Sequence, residues 1–495
     1  MRFRLHDHQQ NAIAALRQSL ATGHKRPMLM APTGAGKTVI GSAIVEGALA
    51  KGKRVLFTVP FLSLVDQTVA AFNAQGIEAI GIMQGNHPGT DGSQPVQVAS
   101  VQTLMRRKLP DADIVLVDEA HRWFAFYAKW MSMPEWQRIP FVGLSATPWA
   151  KGLGRHYDDL IVAATTTELI ERGFLSPYRV YAPAHPDLTG VKTVAGDYHE
   201  GQLSEVMRQP VLVAGIVDTW LKLGEDRPTL AFCVDRAHAR RVADEFEAAG
   251  VPTAYCDMDT PADERRKIGE RLRNGQIKVV ANVYTLTTGV DWDVRCIVLA
   301  RPTKSEILFV QIVGRGLRTA EGKRDCLILD HSDTTLKLGF PADIHHAYLD
   351  EGKHKESSNA RKEKATPLPK ECPKCSYLKP AGILQCAQCG FVPERQSQIA
   401  ERDGQLIQLN GKRRTKAEGT PHSQQDVYSM LLWIVQERGY KPGYAAAKFK
   451  DRYGIWPPRH LMALPKPPDA IFMNWLKSRN IAYARARKKA DAHAA

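Results

Sequence analysis

The sequence predicts an α/β protein: two tandem parallel-sheet domains, then a small metal-binding module and a mainly helical, basic C-terminal segment. Three observations carry this expectation. Apolar, β-branched runs alternate with helix-spaced segments in two separate series, over residues 1–170 and again over 171–350. A glycine-rich loop, Ala31-Pro32-Thr33-Gly34-Ala35-Gly36-Lys37-Thr38, interrupts the first series only. Two Cys-x-x-Cys pairs lie beyond both series. A chain of 495 residues is also too long for one hydrophobic core.

Residues 5–13 begin an amphipathic helix. Residues 28–30 are an apolar run that ends at the loop, and a helical pattern starts at Val39. Strand, glycine turn and helix is an arrangement that cradles phosphate. Gly34, Ala35 and Gly36 let backbone N–H groups approach the oxygens, Lys37 supplies a compact positive charge, and the Thr38 hydroxyl suits Mg²⁺. Such a loop binds a nucleoside triphosphate, although Ala31 stands where the general pattern has its first glycine. Strands are expected at 54–59, 96–101 and 114–117, with a helix over 62–72. The strand at 114–117 runs into Asp118-Glu119-Ala120-His121. Carboxylates at the end of a buried strand beside a phosphate loop can hold Mg²⁺ through water (Asp118) and orient or deprotonate an attacking water (Glu119). Capping of the next helix is the plainer use of such a pair. A further strand at 141–144 leads into Ser145-Ala146-Thr147-Pro148.

Together, Gly34 to Thr38, Asp118 to His121 and Ser145 to Pro148 resemble motifs I, II and III of the superfamily 2 helicases of DEAD/DEAH-box type. The resemblance implies two RecA-like domains and makes Ala31 ordinary. It implies that Gln9 reads adenine, that Thr33 to Thr38 and Asp118 bind ATP, and that Thr38 and Asp118 hold Mg²⁺. It implies too that residues 58–67 and Ser100-Val101-Gln102-Thr103 touch nucleic-acid backbone, and that Ser145 and Thr147, with His121, couple the two sites.

Glycine and proline cluster over 171–177, as at a hinge. The second series follows, with strands expected at 229–234, 278–283, 297–300 and 326–330 and a helix over 237–249. It has no phosphate loop of its own. It carries Thr287-Thr288-Gly289-Val290-Asp291 and Gln311-Ile312-Val313-Gly314-Arg315-Gly316-Leu317-Arg318. Arg315 and Arg318 lie three apart on one helical face, and guanidinium groups pair bidentately with phosphate. Opposite a phosphate loop they read as arginine fingers; otherwise they are two cations on a solvated face. These stretches resemble motifs V and VI of the same superfamily. By that resemblance Gly289 and Asp291 belong to the ATP site, and Gln311 to the coupling set.

Residues 351–370 are polar, charged and proline-bearing, as in a linker. In 371–395, Cys372, Cys375, Cys386 and Cys389 form two pairs with ten residues between them, the spacing of a tetrahedral zinc ribbon. Cys233, Cys256, Cys296 and Cys326 are expected in cores. The basic segment 396–495 interleaves aromatics with Lys and Arg, which either stack bases and neutralise phosphates or build a small core. Residues 1–350 hold 40 Lys and Arg against 39 Asp and Glu, while 351–495 hold 27 against 13, so nearly all of the +15 net charge is in the tail. A polyanion held by that tail is the expected partner.

The cofactors expected are therefore ATP, Mg²⁺ and Zn²⁺. The start of the chain carries no signal-peptide core and no window has membrane-spanning length, so an intracellular protein is expected; the resemblance implies the cytoplasm of a bacterial or phage-infected cell. The tail is similar to those of phage and prophage DNA helicases. Hence DNA is favoured over RNA, with replication, recombination or repair proteins as further partners. The motor would couple ATP hydrolysis to movement on DNA and its unwinding. A duplex translocase, a restriction-system motor and an RNA helicase stay open as alternatives.

Overall fold

The computed structural model describes residues 4–284, 286, 292–352, 367–393 and 422–491 except 442, 459–460 and 462–463, with side chains described as far as 480. The chain divides into two compact units, Met1–Arg395 and Gln396–Ala495.

Two parallel sheets form the frame of the first unit. One contains β1 (Pro27–Met30), β2 (Val55–Val59), β3 (Ile80–Met83), β4 (Val96–Ser100), β5 (Ile114–Asp118), β6 (Phe141–Ser145) and β7 (Asp159–Val162). Their order is β3-β4-β2-β5-β6-β1-β7. The other contains β8 (Tyr178–Tyr181), β11 (Thr229–Phe232), β12 (Thr253–Cys256), β13 (Val279–Asn282), β14 (Cys296–Leu299) and β15 (Cys326–Asp330), ordered β12-β13-β11-β14-β15-β8. A small hairpin of β9 (Thr193–Val194) and β10 (Asp197–Tyr198) interrupts the chain between β8 and β11. Strands such as β1, β2, β11, β13 and β14 are buried along their whole length, as parallel strands covered by helices on both faces must be. Their continuous apolar character is what made them readable.

Register brings the reactive strand ends together. β6 lies between β5 and β1, pairing Leu144 with Asp118 and Ser145 with Met30. The first residues past β1 and β5 are tied to the same strand, because the Ala31 N–H donates to the Ser145 carbonyl and the Ala120 N–H to that of Leu144, both at 3.0 Å. The phosphate loop and the acidic pair therefore emerge side by side at the carboxyl edge of the sheet.

The cysteine module packs on the edge strand of the second sheet. Its hairpin of β16 (Lys370–Glu371) and β17 (Leu378–Lys379) places Tyr377 in an antiparallel bridge with Tyr181, and the Ala182 N–H donates to the Ser376 carbonyl at 2.9 Å. His185 Nε2 lies 3.0 Å from Glu371.

In the second unit, helices Gln424–Arg438, Gly443–Tyr453 and Ala470–Asp491 enclose their own core. Phe449 and Phe472 are fully buried there, and Trp433, Tyr444, Tyr453 and Trp475 pack against them. Most of the described tail aromatics are therefore core residues. Trp456 and Tyr440 are the exposed ones among them, with the Lys450 ammonium 4.5 Å above the Trp456 ring.

Candidate active site

Gly34 and Gly36 both take positive φ, 89° and 82°, and Gly36 caps the helix Lys37–Leu49 in the left-handed conformation that a Cβ disfavours. The loop and the N-terminus of the helix line one cavity, a setting that favours an anion. Lys37 Nζ lies 2.9 Å from Asp118 Oδ1 and 2.5 Å from Glu119 Oε1. Burial alone would lower the Lys37 pKa; the two carboxylates outweigh it and leave the ammonium above its usual value. Asp118 is pushed upward by burial, which Lys37 only partly offsets. Glu119 sits at φ 47°, a conformation unusual for a non-glycine residue.

The donor set fits a hard divalent cation. Glu119 Oε2 is a buried acceptor with no hydrogen bond, Asp118 Oδ1 is buried and met by the Lys37 ammonium, and the Thr38 side chain lines the same cavity. Thr38 and Asp118 are the residues that would hold Mg²⁺ there.

The second sheet's domain closes this cavity, which has a volume of about 750 Å³ and is lined by Gly34, Lys37, Thr38, Glu119, Arg315 and Arg318 among others. The helix Glu306–Gly316, capped by Ser305 Oγ accepting from the Leu308 N–H at 3.2 Å, carries Arg315 against the loop. Contact is close enough that a Cβ at Gly314 would lie 2.6 Å from Thr33 Cβ, and one at Gly34 would lie 3.3 Å from Arg318 Cγ. Just outside the helix, Arg318 forms an antiparallel bridge with Leu175 of the hinge. Both arginines thus reach the loop's cavity.

A buried polar chain links the two domains behind it. His121 Nδ1 lies 2.9 Å from Ser145 Oγ, and its Nε2 lies 3.0 Å from Gln311 Nε2. Gln311 Nε2 also donates to Thr147 Oγ1 at 3.3 Å, and the Thr147 N–H donates to Ser145 Oγ at 3.0 Å. Burial pushes the His121 pKa down to about 3, so the ring is neutral at physiological pH. With the Gln311 amide nitrogen facing Nε2, the ring proton sits on Nδ1, directed at Ser145 and at Glu119 Oε2 3.4 Å away. Glu119, His121, Ser145, Thr147 and Gln311 are therefore one connected set.

Gln9 has a local task in this structure. Its Nε2 donates to the Ala35 carbonyl at 3.1 Å and its Oε1 accepts from the His6 N–H at 3.0 Å, so the amide braces the loop from outside the cavity. Gly289 and Asp291 lie outside the described residues. Within 58–67, Thr58 is buried, whereas Leu62, Ser63, Asp66 and Gln67 are exposed. Ser100 and Thr103 are buried and bond to each other at 2.9 Å.

Sequence reading missed Gly314 and the Leu175–Arg318 bridge. A glycine inside a helical run is a signal of close approach, but it does not say to what. The Arg122 guanidinium, 4.7 Å from the Phe61 ring centroid, was also missed because it follows a motif without belonging to it.

In the cysteine module all four sulfurs lie within 4.8 Å of one another, with Cys372–Cys389 and Cys375–Cys386 both at 3.7 Å. A tetrahedron with Zn–S bonds of about 2.3 Å has edges of about 3.8 Å, whereas a disulfide is about 2.05 Å long. The spacing fits a tetrahedral metal and no disulfide.

Comparison with known proteins agrees with this architecture. Residues 2–150 match the family described as type III restriction enzyme, res subunit, and residues 213–320 match the helicase conserved C-terminal domain. A 51.5 kDa protein of a Lactococcus phage is 29% identical over 375 residues, covering 73% of this chain and 77% of the phage protein. The putative ATP-dependent helicase IRC3 of Saccharomyces cerevisiae is 30% identical over 351 residues, covering 66% of this chain but only 51% of its own length. The chain thus spans about half of that yeast relative. Among solved structures, the fragment of a putative HsdR subunit of a type I restriction enzyme from Vibrio vulnificus shares the fold, with a TM-score of 0.54 at 24% identity over 68% of this chain and 65% of that one. The two family matches, in this order, and the helicase-named relatives support a superfamily 2 helicase related to phage and restriction-type helicases, a nucleic-acid-dependent ATPase.

Proposed function

We propose that the chain is a DNA motor in which Lys37, Glu119, Arg315 and Arg318 together hydrolyse ATP, and in which closing and opening of the cleft moves the two domains along DNA and unwinds it. The observation that carries this reading is the shared cavity: the arginines of one domain face the phosphate loop and acidic pair of the other. Thr38 and Asp118 would hold Mg²⁺, which would supply neutralisation of phosphate charge. Glu119 orients the attacking water and takes its proton onto the carboxylate, and the Lys37 ammonium turns from the carboxylates to pair with the phosphates. Arg315 and Arg318 stabilise the charge that develops in the transition state. Because His121, Ser145, Thr147 and Gln311 connect Glu119 to the arginine helix, they report closure to the acidic pair.

The motor would consist of residues 1–170 and 171–350, the ribbon of 371–395 would hold Zn²⁺ through its four cysteines, and the basic segment 396–495 would hold DNA electrostatically. The protein would work in the cytoplasm of a bacterial or phage-infected cell, beside replication, recombination or repair proteins; among the described residues no helix is long and apolar enough to cross a membrane. The deciding experiment compares ATPase stimulation and strand release on single-stranded, forked and duplex DNA and on RNA. Stimulation by DNA with release of a forked strand is expected, and stimulation by RNA alone would refute the DNA reading. Translocation along duplex without strand separation is the second reading, favoured by the match of residues 2–150 to a restriction-enzyme subunit. It predicts duplex stimulation with no strand released. Metal analysis should find one zinc per chain, lost in Cys386→Ser/Cys389→Ser; zinc undiminished in that variant would remove this site.

A further inference from the structure

Arg318 stands outside the helix that carries Arg315, and an arginine beyond a helix end needs something to hold its backbone. The helix ends at Gly316, where carbonyls without intrahelical partners converge and the helix dipole is negative. Lys323 Nζ fills that position. It donates to the Gly316 and Arg318 carbonyls, each at 2.6 Å, and to the Val294 carbonyl at 2.7 Å. All three ammonium donors are used, two on the arginine turn and one on the residue leading into β14. Among the described residues no carboxylate lies within ion-pair distance of this ammonium, although burial lowers its pKa. A charge desolvated in this way is costly unless the carbonyls it gathers must be held.

The surroundings fix Lys323 in turn. Arg295, paired with Asp293 at 2.7 Å, donates from Nη2 to the Glu321 carbonyl at 2.7 Å and from Nη1 to the Gly322 carbonyl at 3.4 Å. This pins the loop just ahead of Lys323. On the other side of the arginine turn, the Ser176 N–H donates to the Leu317 carbonyl at 2.7 Å, and its hydroxyl donates to the Arg318 carbonyl at 3.2 Å. The Arg318 carbonyl therefore has both acceptor positions filled, one from the hinge and one from Lys323.

We infer that Lys323 is a positioning residue for Arg318: its ammonium closes the end of the arginine helix and holds the following turn so that the guanidinium reaches the phosphate-loop cavity. The inference rests on the proposed role of Arg318. A displacement of about 1 Å at a catalytic group is worth on the order of a hundredfold in rate. Lys323→Met should lower the DNA-stimulated ATPase kcat by roughly 30- to 100-fold, with KM for ATP within about threefold, because ground-state binding does not need the finger. Lys323→Gln, which keeps two donors, should fall between Met and wild type; if the Met variant does not fold, Gln takes its place in every comparison below.

Two further measurements separate positioning from general stability. In nucleotide-free protein, amide hydrogen exchange at residues 316–320 should rise in the Lys323 variant while that of β11 and β13 stays unchanged. In a double-mutant cycle with Arg318→Ala, the Lys323 substitution should add less than about threefold to the Arg318→Ala loss. Multiplying losses, unchanged exchange at 316–320 or a kcat near wild type would each overturn the role of Lys323. If Arg318→Ala itself turns over normally, the finger reading falls first and this inference with it.

Discussion

Replacing Gly314 by alanine tests whether the two domains must touch at the phosphate loop. The added methyl would lie 2.6 Å from Thr33 Cβ and 3.0 Å from both Thr33 Cγ2 and Oγ1. Carbon atoms in contact sit about 3.5–4.0 Å apart, so the helix and loop must separate by about 1 Å along that line. No rotamer change relieves the overlap, because Cβ of Thr33 moves only with the loop backbone. Overpacking of this kind costs about 1–3 kcal/mol, yet alanine gains about 1 kcal/mol over glycine inside a helix. The net loss of stability should therefore be about 0–2 kcal/mol, which leaves the protein folded.

The rate should change a great deal. Arg315 and Arg318 ride on the same segment, and moving them away by about 1 Å should cost on the order of a hundredfold, or about 2.7 kcal/mol of transition-state stabilisation. ATP affinity should stay within a few-fold, since Lys37 and the loop backbone belong to the other domain. Steady-state ATPase with saturating DNA, together with fluorescent-nucleotide titration, reads both quantities. A kcat within threefold of wild type would show that catalysis does not need the Gly314–Thr33 contact. A parallel loss of affinity would mean that the contact shapes the loop and not the reach of the arginines.

Glu119→Gln should retain nucleotide binding and lose at least about a hundredfold in turnover, as expected for a missing general base; normal turnover would sink that assignment. His121, His238 and His331 are buried and held neutral by desolvation, with pKa values of about 3, 4 and 4. Against an unfolded value near 6.5, their contribution is complete above that pH and is lost as the pH falls, because the unfolded chain takes up protons that the folded one refuses. At pH 5.5 the loss is about 1.4 kcal/mol per histidine, or about 4 kcal/mol together, read as a fall in urea midpoint relative to pH 7.5. His185, raised by its hydrogen bond to Asp333, works in the opposite sense. Neither ring nitrogen of His331 has a hydrogen-bond partner, so His331→Leu should flatten the acid limb by about a third; an unchanged limb would mean that this ring is protonated in place. Ending the chain after residue 395, where the two compact units divide, should flatten the salt dependence of DNA binding by about 0.7 to 0.9 log units for every phosphate the tail contacts. An unchanged slope in that folded truncation would make the tail's charge a solvated surface.

The parts of this fold that the sequence reveals are those where one physical requirement acts alone. β1, β2, β4, β11, β13 and β14 sit between neighbours under helices and are buried from end to end, and their mainly apolar, β-branched runs need little context to recognise. Besides the two short hairpins, the strands that escaped notice are β3, β7, β8 and β12, the four that border the two parallel sheets. Each has one strand partner and partial exposure, so sequences such as Asp159-Leu160-Ile161-Val162 and Thr253-Ala254-Tyr255-Cys256 mix polar with apolar residues and lose the buried-strand signature. β8 was hidden further because it follows the glycine and proline of the hinge, which read as a break between domains.

The same distinction applies at the active site. Lys37, Thr38, Asp118 and Glu119 are legible because phosphate and metal chemistry restricts residue type and spacing within a short stretch of chain. Gly314 against Thr33, Leu175 against Arg318 and Lys323 under the arginine turn depend on how segments far apart in sequence meet, and any one of them alone is an ordinary glycine, leucine or lysine. In the tail the two kinds of information compete. Interleaved aromatics and cations look like a surface for stacking bases, but a small three-helix unit must first build a core, and Phe449, Phe472, Trp433 and Trp475 are used for that. The Arg452 guanidinium 4.4 Å from the Trp475 ring centroid is engaged there as well. Any base-stacking among the described aromatics would fall to the exposed Trp456 and Tyr440, while charge, which needs no pocket, would carry the rest of the tail's affinity.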